Sequence, residues 1–86
     1  MSVVLLPDVS ATDVDEGLVL LDQRHGGYWL LNRTGAASLR SLLAGSTPEE
    51  AAGRLVEKYP ESAGRALEDV HSLLATLTEA RLVVAS

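Results

Sequence analysis

The sequence of 86 residues contains no cysteine, so disulfide bonds, cysteine nucleophiles and thiolate metal sites are excluded. Aromatic residues make up only 3% of the chain, and Tyr28, Trp29 and Tyr59 are its only large rings. No apolar run approaches the roughly 20 residues that a helix needs to span a bilayer. The first eight residues have no basic region, and their apolar run is too short for a signal peptide. We therefore expect a soluble, cytoplasmic domain without membrane contact.

Basic residues are also scarce. Seven Lys and Arg stand against twelve Asp and Glu, which gives a formal net charge of −5. An acidic chain repels the phosphate backbone, so nucleic acid is not the expected partner. Hydrophobic residues, in contrast, reach 47%, which excludes a disordered chain. The length predicts a single domain over residues 1–86.

Apolar runs in the first third of the chain predict three strands. Val3–Leu6 is ended by a Pro-Asp pair, whereas the polar, acidic residues 8–16 are interpreted as a loop. Gly17–Asp22 and Gly27–Asn32 flank a short turn that contains glycine, which predicts an antiparallel hairpin. Neither run alternates strictly. Either helices cover both faces of the sheet, or some apolar surface is left exposed for a partner.

The sequence after these runs predicts a change from strand to helix. Asn32 and Thr34 are both suitable N-caps, because their side-chain oxygens can accept free backbone N–H groups. Apolar residues then recur at helical spacing, and Gly45 is expected to end this first helix in a left-handed conformation. If Gly27–Asn32 is the last strand of its sheet, its unpaired backbone edge either promotes aggregation or serves as a binding site. We favour the binding site.

Two further helices are predicted. Thr47, Pro48 and Glu50 form the signature of a capping box with proline at the first helical position. Pro60 closes this helix, and Ser62 is expected to cap a longer one. The apolar positions of that third helix are Ala63, Ala66, Leu67, Val70, Leu73, Leu74, Leu77 and Ala80. Residues 81–85 are interpreted as an apolar tail over the end of the core. Strands followed by helices indicate an α+β domain.

The sequence shows no constellation of catalytic or metal-binding residues. His25 and His71 lack the spaced Asp, Glu or His partners of a metal site, so solvated histidines are the simpler interpretation. The serines lack a Gly-x-Ser-x-Gly elbow, and two adjacent glycines are too few to cradle a phosphate. We expect a non-enzyme without cofactor or metal, whose function lies in its surfaces.

The ordered set of these motifs resembles the PqqD-like family. The resemblance is carried by Gly17-Leu-Val-Leu-Leu-Asp22, Gly27-Tyr-Trp-Leu-Leu-Asn32, Thr34-Gly-Ala36, Leu42-Leu-Ala-Gly45, Thr47-Pro-Glu-Glu50 and Asp69-Val-His-Ser-Leu-Leu74 with Leu77. It covers nearly the whole chain. The sequence departs from the pattern at Arg40, where many members have tryptophan, and in the acidic segment 8–16.

The resemblance implies a winged-helix-like fold, with a three-stranded antiparallel sheet followed by three helices. Members of the family are RiPP recognition elements, which bind the leader segment of a ribosomally made precursor peptide. The leader adds as a strand to the edge of the third strand, and its side chains enter a groove beside the third helix. The implied contact residues are Gly27, Tyr28, Trp29, Leu30, Leu31, Asn32, Ala66, Asp69, Val70, Leu73 and Leu77.

Such a small domain looks most like the leader-binding protein of lasso-peptide pathways, whose partner is a separate leader-cleaving cysteine protease. A peptide chaperone for a radical SAM enzyme, as in pyrroloquinoline quinone biosynthesis, is the nearest alternative. A winged-helix DNA-binding regulator would need a basic recognition helix, which the acidic residues of the third helix do not provide. A dimeric, antitoxin-like domain that uses the apolar sheet is a further alternative.

Overall fold

The computed structural model describes residues 2–86 and has an α+β architecture, as the sequence predicts. In chain order its elements are β1 (Val3–Leu5), β2 (Val9–Val14), β3 (Gly17–Asp22), β4 (Gly27–Asn32), α1 (Arg33–Leu43), α2 (Pro48–Lys58), a 3-10 turn (Pro60–Ser62), α3 (Ala66–Glu79) and β5 (Val83–Ala85). Strands β2, β3 and β4 form an antiparallel sheet in that order, and α1, α2 and α3 follow it. The winged-helix-like arrangement of three strands and three helices is confirmed.

The interpretation of residues 8–16 as a loop is wrong, because they contain β2. This strand pairs with β3 from Val9 opposite Asp22 to Val14 opposite Gly17. The polar side chains of β2 lack the apolar alternation from which a strand is predicted. A strand at the edge of a sheet needs hydrogen bonds to only one neighbour, and it tolerates polar residues on exposed positions.

The predicted first strand exists as β1 but lies in a different sheet. It pairs with β5, Val3 opposite Ala85 and Leu5 opposite Val83. The C-terminal residues are therefore a strand and not merely an apolar tail. Leu82 and Val83 are buried in the core, which agrees with the prediction that this segment covers the end of the core.

The starts of α1 and α2 follow the sequence signals. The Asn32 side chain accepts a hydrogen bond of 2.9 Å from the N–H of Gly35. At α2, Thr47 and Glu50 exchange hydrogen bonds of 3.1 and 2.8 Å, which completes the predicted capping box. These caps satisfy backbone donors that have no partner within the helix.

The start of α3 differs from the prediction, since Ser62 does not cap it. Ser62 belongs to the 3-10 turn, Gly64 has a positive φ of 93°, and the helix begins only at Ala66. Arg65 is the N-cap residue and makes no capping bond through its side chain. A left-handed glycine cannot continue a helix, so the apolar repeat that includes Ala63 overestimates the length of α3.

Helices α1 and α3 end in the same way with different residues. Each closes with a Schellman pair of hydrogen bonds, from Gly45 and Ser46 in α1 and from Arg81 and Leu82 in α3. Gly45 has a φ of 104°, as the sequence predicts, whereas Arg81 adopts a φ of 60° that non-glycine residues rarely take. The burial of Leu82 beside this turn offsets part of that strain.

The core lies between the helices and one face of the three-stranded sheet. Leu18, Leu20 and Leu31 supply the sheet side. The helix side is formed by Ala36, Leu39, Leu42, Ala51, Ala52, Leu55, Ala66, Val70, Leu74 and Leu77. Arg40, the departure from the family pattern, stays outside this core and makes an ion pair with Asp13 of β2. The helices cover only one face of the sheet, so its opposite face is exposed.

Candidate functional site

Strand β4 forms an edge of the three-stranded sheet, because β3 is its only strand neighbour among residues 2–86. In an antiparallel pair, every second residue directs its N–H and C=O groups away from the partner. Gly27–Asn32 contains no proline and no charged residue, which are the usual means of protecting a strand edge. The backbone of β4 is therefore available to pair with a further strand.

The side chains of β4 are also largely exposed. Tyr28 and Leu30 lie on the face away from the helices, where they are 73% and 62% exposed. Trp29 pairs with the buried Leu20 on the helix-facing side, yet it remains 39% exposed. Leu31 is the one side chain of this strand that enters the core. The edge thus combines free backbone groups with uncovered apolar surface.

Gly17 positions the end of β4 that leads into α1. Its φ is 155°, and a Cβ atom at this position would lie 1.8 Å from the carbonyl oxygen of Leu31. Any other residue would push β3 and β4 apart at this point. Asn32, which is opposite Gly17, ends the strand and caps α1. The close approach at Gly17 therefore fixes the place where the open edge meets the first helix.

The hairpin turn fixes the other end of β4. The buried Asp22 carboxylate accepts hydrogen bonds of 3.0 Å from the backbone N–H and Nε of Arg24, and it lies 3.0 Å from Nδ1 of His25. The bond with His25 and those with Arg24 hold the pKa of Asp22 well below its usual range. His25 is mostly exposed, as the sequence predicts, but it also contacts this carboxylate. Gly26 alone of the two turn glycines has a positive φ, of 75°.

A groove of about 260 Å³ lies between the Asn32 end of β4, the start of α1 and helix α3. We call it the β4–α3 groove. It is lined by Asn32, Thr34, Gly35, Ser38, Leu55, Asp69, Ser72 and Leu73. Its wall combines two leucines with hydroxyl, amide and carboxylate groups. Such a surface can bury one apolar side chain and also bind a polar group of a peptide.

The structure separates the predicted contact residues of α3 into two groups. Asp69 and Leu73 line the β4–α3 groove together with Asn32 of the strand. Ala66, Val70 and Leu77 are buried in the core beside Leu74. A helix that packs on a core has one inward stripe, and only the margin of that stripe can face a groove. Asp69 and Leu73 occupy this margin.

The residues that line the rest of the groove carry no signal in the sequence. Ser38 is buried, and its hydroxyl donates a 2.9 Å hydrogen bond to the carbonyl of Thr34. Leu55 reaches the groove from α2, and Ser72 precedes the predicted Leu73. A serine within a helical pattern carries no signal of its own, because it becomes part of a groove only through tertiary packing.

The described residues, 2–86, hold no group of three His, Cys, Asp or Glu side chains that could bind a metal ion. None of the helices in this part of the chain is long and apolar enough to cross a membrane. The groove offers hydrogen-bonding groups and apolar surface, which are the means of binding a peptide. An open strand edge beside a helix on a small α+β domain is a type of surface that can bind an extended peptide.

Comparison with known proteins identifies the family. Residues 17–83 match the family model described as coenzyme PQQ synthesis protein D (PqqD). The matched segment is well over half of the chain, so the chain belongs to this family and is a PqqD-like RiPP recognition element. No curated protein matches the sequence.

Two solved structures are similar over nearly the full length. One is described as lasso peptide synthetase B1 complexed with the leader peptide. It is 34% identical, with 99% of this chain and 100% of that chain covered and a TM-score of 0.88. The other is described as TbiB1 in complex with the TbiA(beta) leader peptide. It is 25% identical, with 100% and 98% covered and a TM-score of 0.81.

Proposed function

We propose that this domain binds the leader segment of a ribosomally made precursor peptide and presents it to a separate leader-cleaving cysteine protease of a lasso-peptide pathway. The observation that carries the proposal is the unprotected edge of β4 beside the β4–α3 groove. Both similar solved structures are complexes with leader peptides, and the first is 34% identical to this chain. The domain itself supplies binding and orientation, and the partner enzyme supplies the chemistry.

The leader adds to β4 as a further strand. Each backbone hydrogen bond formed in this way contributes a net of about 0.5–1.5 kcal/mol, largely independent of the peptide's sequence. Backbone pairing therefore gives affinity without selecting one leader. Gly27, Tyr28, Trp29, Leu30, Leu31 and Asn32 supply the pairing strand in this proposal.

Selection of the leader comes from side chains that enter the β4–α3 groove. Burial of one large apolar group there contributes roughly 1.5–3 kcal/mol. Leu73 supplies apolar surface, and Asp69 supplies a carboxylate at the margin. Ala66, Val70 and Leu77 support the helix from the core, since they have almost no exposed surface. Their contribution to binding is indirect.

The proposal is tested with a synthetic peptide that has the sequence of the leader of a candidate precursor peptide. Trp29 is the only tryptophan and lies on the proposed pairing strand, so the titration should change its fluorescence. Calorimetry on the same samples measures the affinity independently. Binding by calorimetry with constant Trp29 fluorescence would place the site away from β4. No binding by either method would refute leader recognition.

Presentation to a protease requires a separate experiment. The purified domain alone should leave the precursor intact, and it should accelerate cleavage when the cognate cysteine protease is added. A Leu73→Asp variant that binds no leader is the control, because it should not accelerate cleavage. Cleavage by the domain alone, or equal rates with and without it, would contradict the proposed role.

The PqqD description of the family favours one second candidate, a peptide chaperone for a radical SAM enzyme. Both candidates use the same groove and differ in the enzyme that receives the peptide. Complex formation with each purified enzyme, measured in the presence of the leader peptide, separates them. A DNA-binding role has weaker support, because Glu68, Asp69 and Glu79 give α3 an acidic surface.

A further inference from the structure

The two walls of the β4–α3 groove belong to elements that pack mainly against other parts of the domain. Strand β4 packs on β3 and α1, whereas α3 packs on α2, α1 and β5. Helix α1 contacts both walls, and contacts at the ends of the walls act on their separation in addition to it. At one end, Asn32 of β4 and Asp69 and Leu73 of α3 line the same cavity.

At the opposite ends of β4 and α3, away from this cavity, Arg24 connects the hairpin turn to the residues that follow α3. Its Nη2 atom donates a 2.7 Å hydrogen bond to the backbone carbonyl of Arg81, just beyond α3. Among residues 2–86, this is the one side-chain hydrogen bond between the β3–β4 hairpin and the turn that follows α3. The two elements consequently run side by side in opposite directions, Asn32 near Asp69 and the hairpin turn near Arg81.

The lengths of the two walls agree with this arrangement. Six extended residues of β4 span about 17 Å from end to end at 3.3 Å per residue. The helical rise from Asp69 to Glu79, the last residue of α3, is about 15 Å at 1.5 Å per residue. The Arg24 bridge and the lined cavity are thus at opposite ends of two walls of nearly equal length.

The geometry of Arg24 suits a rigid connection. Its backbone N–H and its Nε both bond to Oδ1 of Asp22 at 3.0 Å, while Nη2 reaches across to Arg81. The planar guanidinium fixes the directions of these donors relative to each other. Because Asp22 pairs with Gly27, the bridge starts at the residue opposite the first position of β4.

The acceptor of this bridge is a backbone atom. Arg81 holds its left-handed conformation within the Schellman turn that ends α3, with hydrogen bonds from Arg81 to Thr78 and from Leu82 to Leu77. The position of its carbonyl oxygen is therefore set by the helix end and not by the Arg81 side chain. Replacing that side chain should leave the bridge in place.

We infer that Arg24 is a positioning residue that sets the separation of β4 and α3 for peptide binding. The inference rests on the proposed function and adds a residue outside the groove to it. An added strand must lie about 4.8 Å from β4 for hydrogen bonding while its side chains contact Leu73. Both conditions are met only when β4 and α3 lie at one separation. Loss of the Arg24 hydrogen bond frees the hairpin turn to move away from α3, and binding is then weaker although every contact residue is still present.

The first arm of the test measures the separation directly and needs no peptide. The sequence has no cysteine, so Tyr28→Cys and Ala75→Cys, on exposed positions of β4 and α3, can carry two spin labels. Double electron–electron resonance gives the distance distribution in the parent, in Arg24→Met and in Arg81→Asn. The last variant is the matched control, because it removes the same charge, tolerates the left-handed conformation and keeps the carbonyl.

We expect a broader or longer distance in Arg24→Met only, with the parent and Arg81→Asn alike. The second arm measures binding of the labelled leader peptide to the same substitutions in the natural, cysteine-free background. Arg24→Met should weaken binding by about three- to tenfold, the loss expected for one hydrogen bond that positions a site. Arg81→Asn should bind within about twofold of the parent.

An unchanged distance distribution in Arg24→Met would overturn the inference. A broadened distribution with undiminished affinity would also overturn it, since the separation would then not matter for the peptide. If the parent binds no leader, the proposed function fails, while the distance arm still decides whether Arg24 fixes the walls. Arg24→Lys replaces Arg24→Met if circular dichroism shows that the latter is unfolded, with the same expectations at smaller magnitude.

Discussion

Strands β3 and β4 share a pattern, a glycine, four apolar residues and a polar residue, but lie in opposite environments. Gly17–Asp22 reads Gly-Leu-Val-Leu-Leu-Asp, and Gly27–Asn32 reads Gly-Tyr-Trp-Leu-Leu-Asn. Four of the six residues of β3 are buried, whereas β4 has a single buried residue. The two strands are paired along their full length, and they differ in their places in the sheet.

The central strand has neighbours on both sides and helices above it, whereas the edge strand has one neighbour. Apolar side chains in β3 therefore stabilise the fold. Apolar side chains in β4 remain accessible to a partner, and surface of this kind marks an interaction site. A four-residue apolar run thus lies largely in the core in β3 and largely on the surface in β4.

The sharpest test of this contrast compares one leucine from each strand. Leu20 is completely buried in β3, and Leu30 is 62% exposed in β4. We expect Leu20→Ala to lower the free energy of unfolding by about 2–5 kcal/mol, because it leaves a cavity in the core. Leu30→Ala should change it by no more than about 0.5 kcal/mol. Urea denaturation of both variants measures the difference, and equal losses would show that β4 is also part of the core.

The same contrast extends to adjacent residues of α3. Leu74 faces the core, and Leu73 lines the β4–α3 groove. Leu74→Asp should unfold the domain, since it buries an unpaired charge. Leu73→Asp should stay folded and weaken leader binding at least about tenfold, or roughly 1.4 kcal/mol. Circular dichroism and a binding isotherm on both variants test this. If the Leu73→Asp variant is folded and binds the leader with parental affinity, the β4–α3 groove is not part of the binding site.

A smaller effect is expected at the turn that joins the two strands. The hydrogen bonds from His25 and Arg24 lower the pKa of Asp22 in the folded state. The unfolded chain therefore binds a proton at higher pH than the folded one does, and stability falls as the pH drops below the ordinary Asp pKa of about 3.9. Asp22→Asn should be less stable than the parent at pH 7.

The difference in melting temperature between the parent and Asp22→Asn should then narrow as the pH falls from about 5 toward 3. Melting curves recorded by circular dichroism at each pH measure it. A difference that stays constant over this range would mean that the charge of Asp22 does not stabilise the hairpin turn.

Local signals in the sequence were sufficient for much of the fold. The capping box at Thr47, the N-cap at Asn32 and the left-handed Gly45 each depend on neighbours within a few residues, so the sequence predicts them correctly. Strand β2 was missed because an exposed edge strand needs no apolar alternation. The end of the apolar repeat at Ala80 agrees with the C-cap of α3, but the left-handed conformation of Arg81 was not predicted, because arginine carries no signal for it.

The candidate site could be predicted only in part, for the same reason. The β4 strand and the groove residues Asp69 and Leu73 follow from the helical repeat and the family resemblance. The contributions of Ser38, Leu55 and Ser72 do not, because they depend on how three helices pack. The burial of Val70 likewise depends on the orientation of α3 relative to the sheet, which periodicity alone leaves open.

The sequence by itself determined where β3, β4 and α2 lie, how α1 and α2 begin, and that an apolar hairpin leads directly into a helix. These features depend on capping, turn chemistry and periodicity, which act over a few residues. The tertiary structure decided that β4 and not β3 is the open edge, that β1 pairs with β5, and that Arg24 reaches Arg81 across the fold. These are contacts between distant residues, and no local pattern encodes which of two similar apolar strands receives a second neighbour.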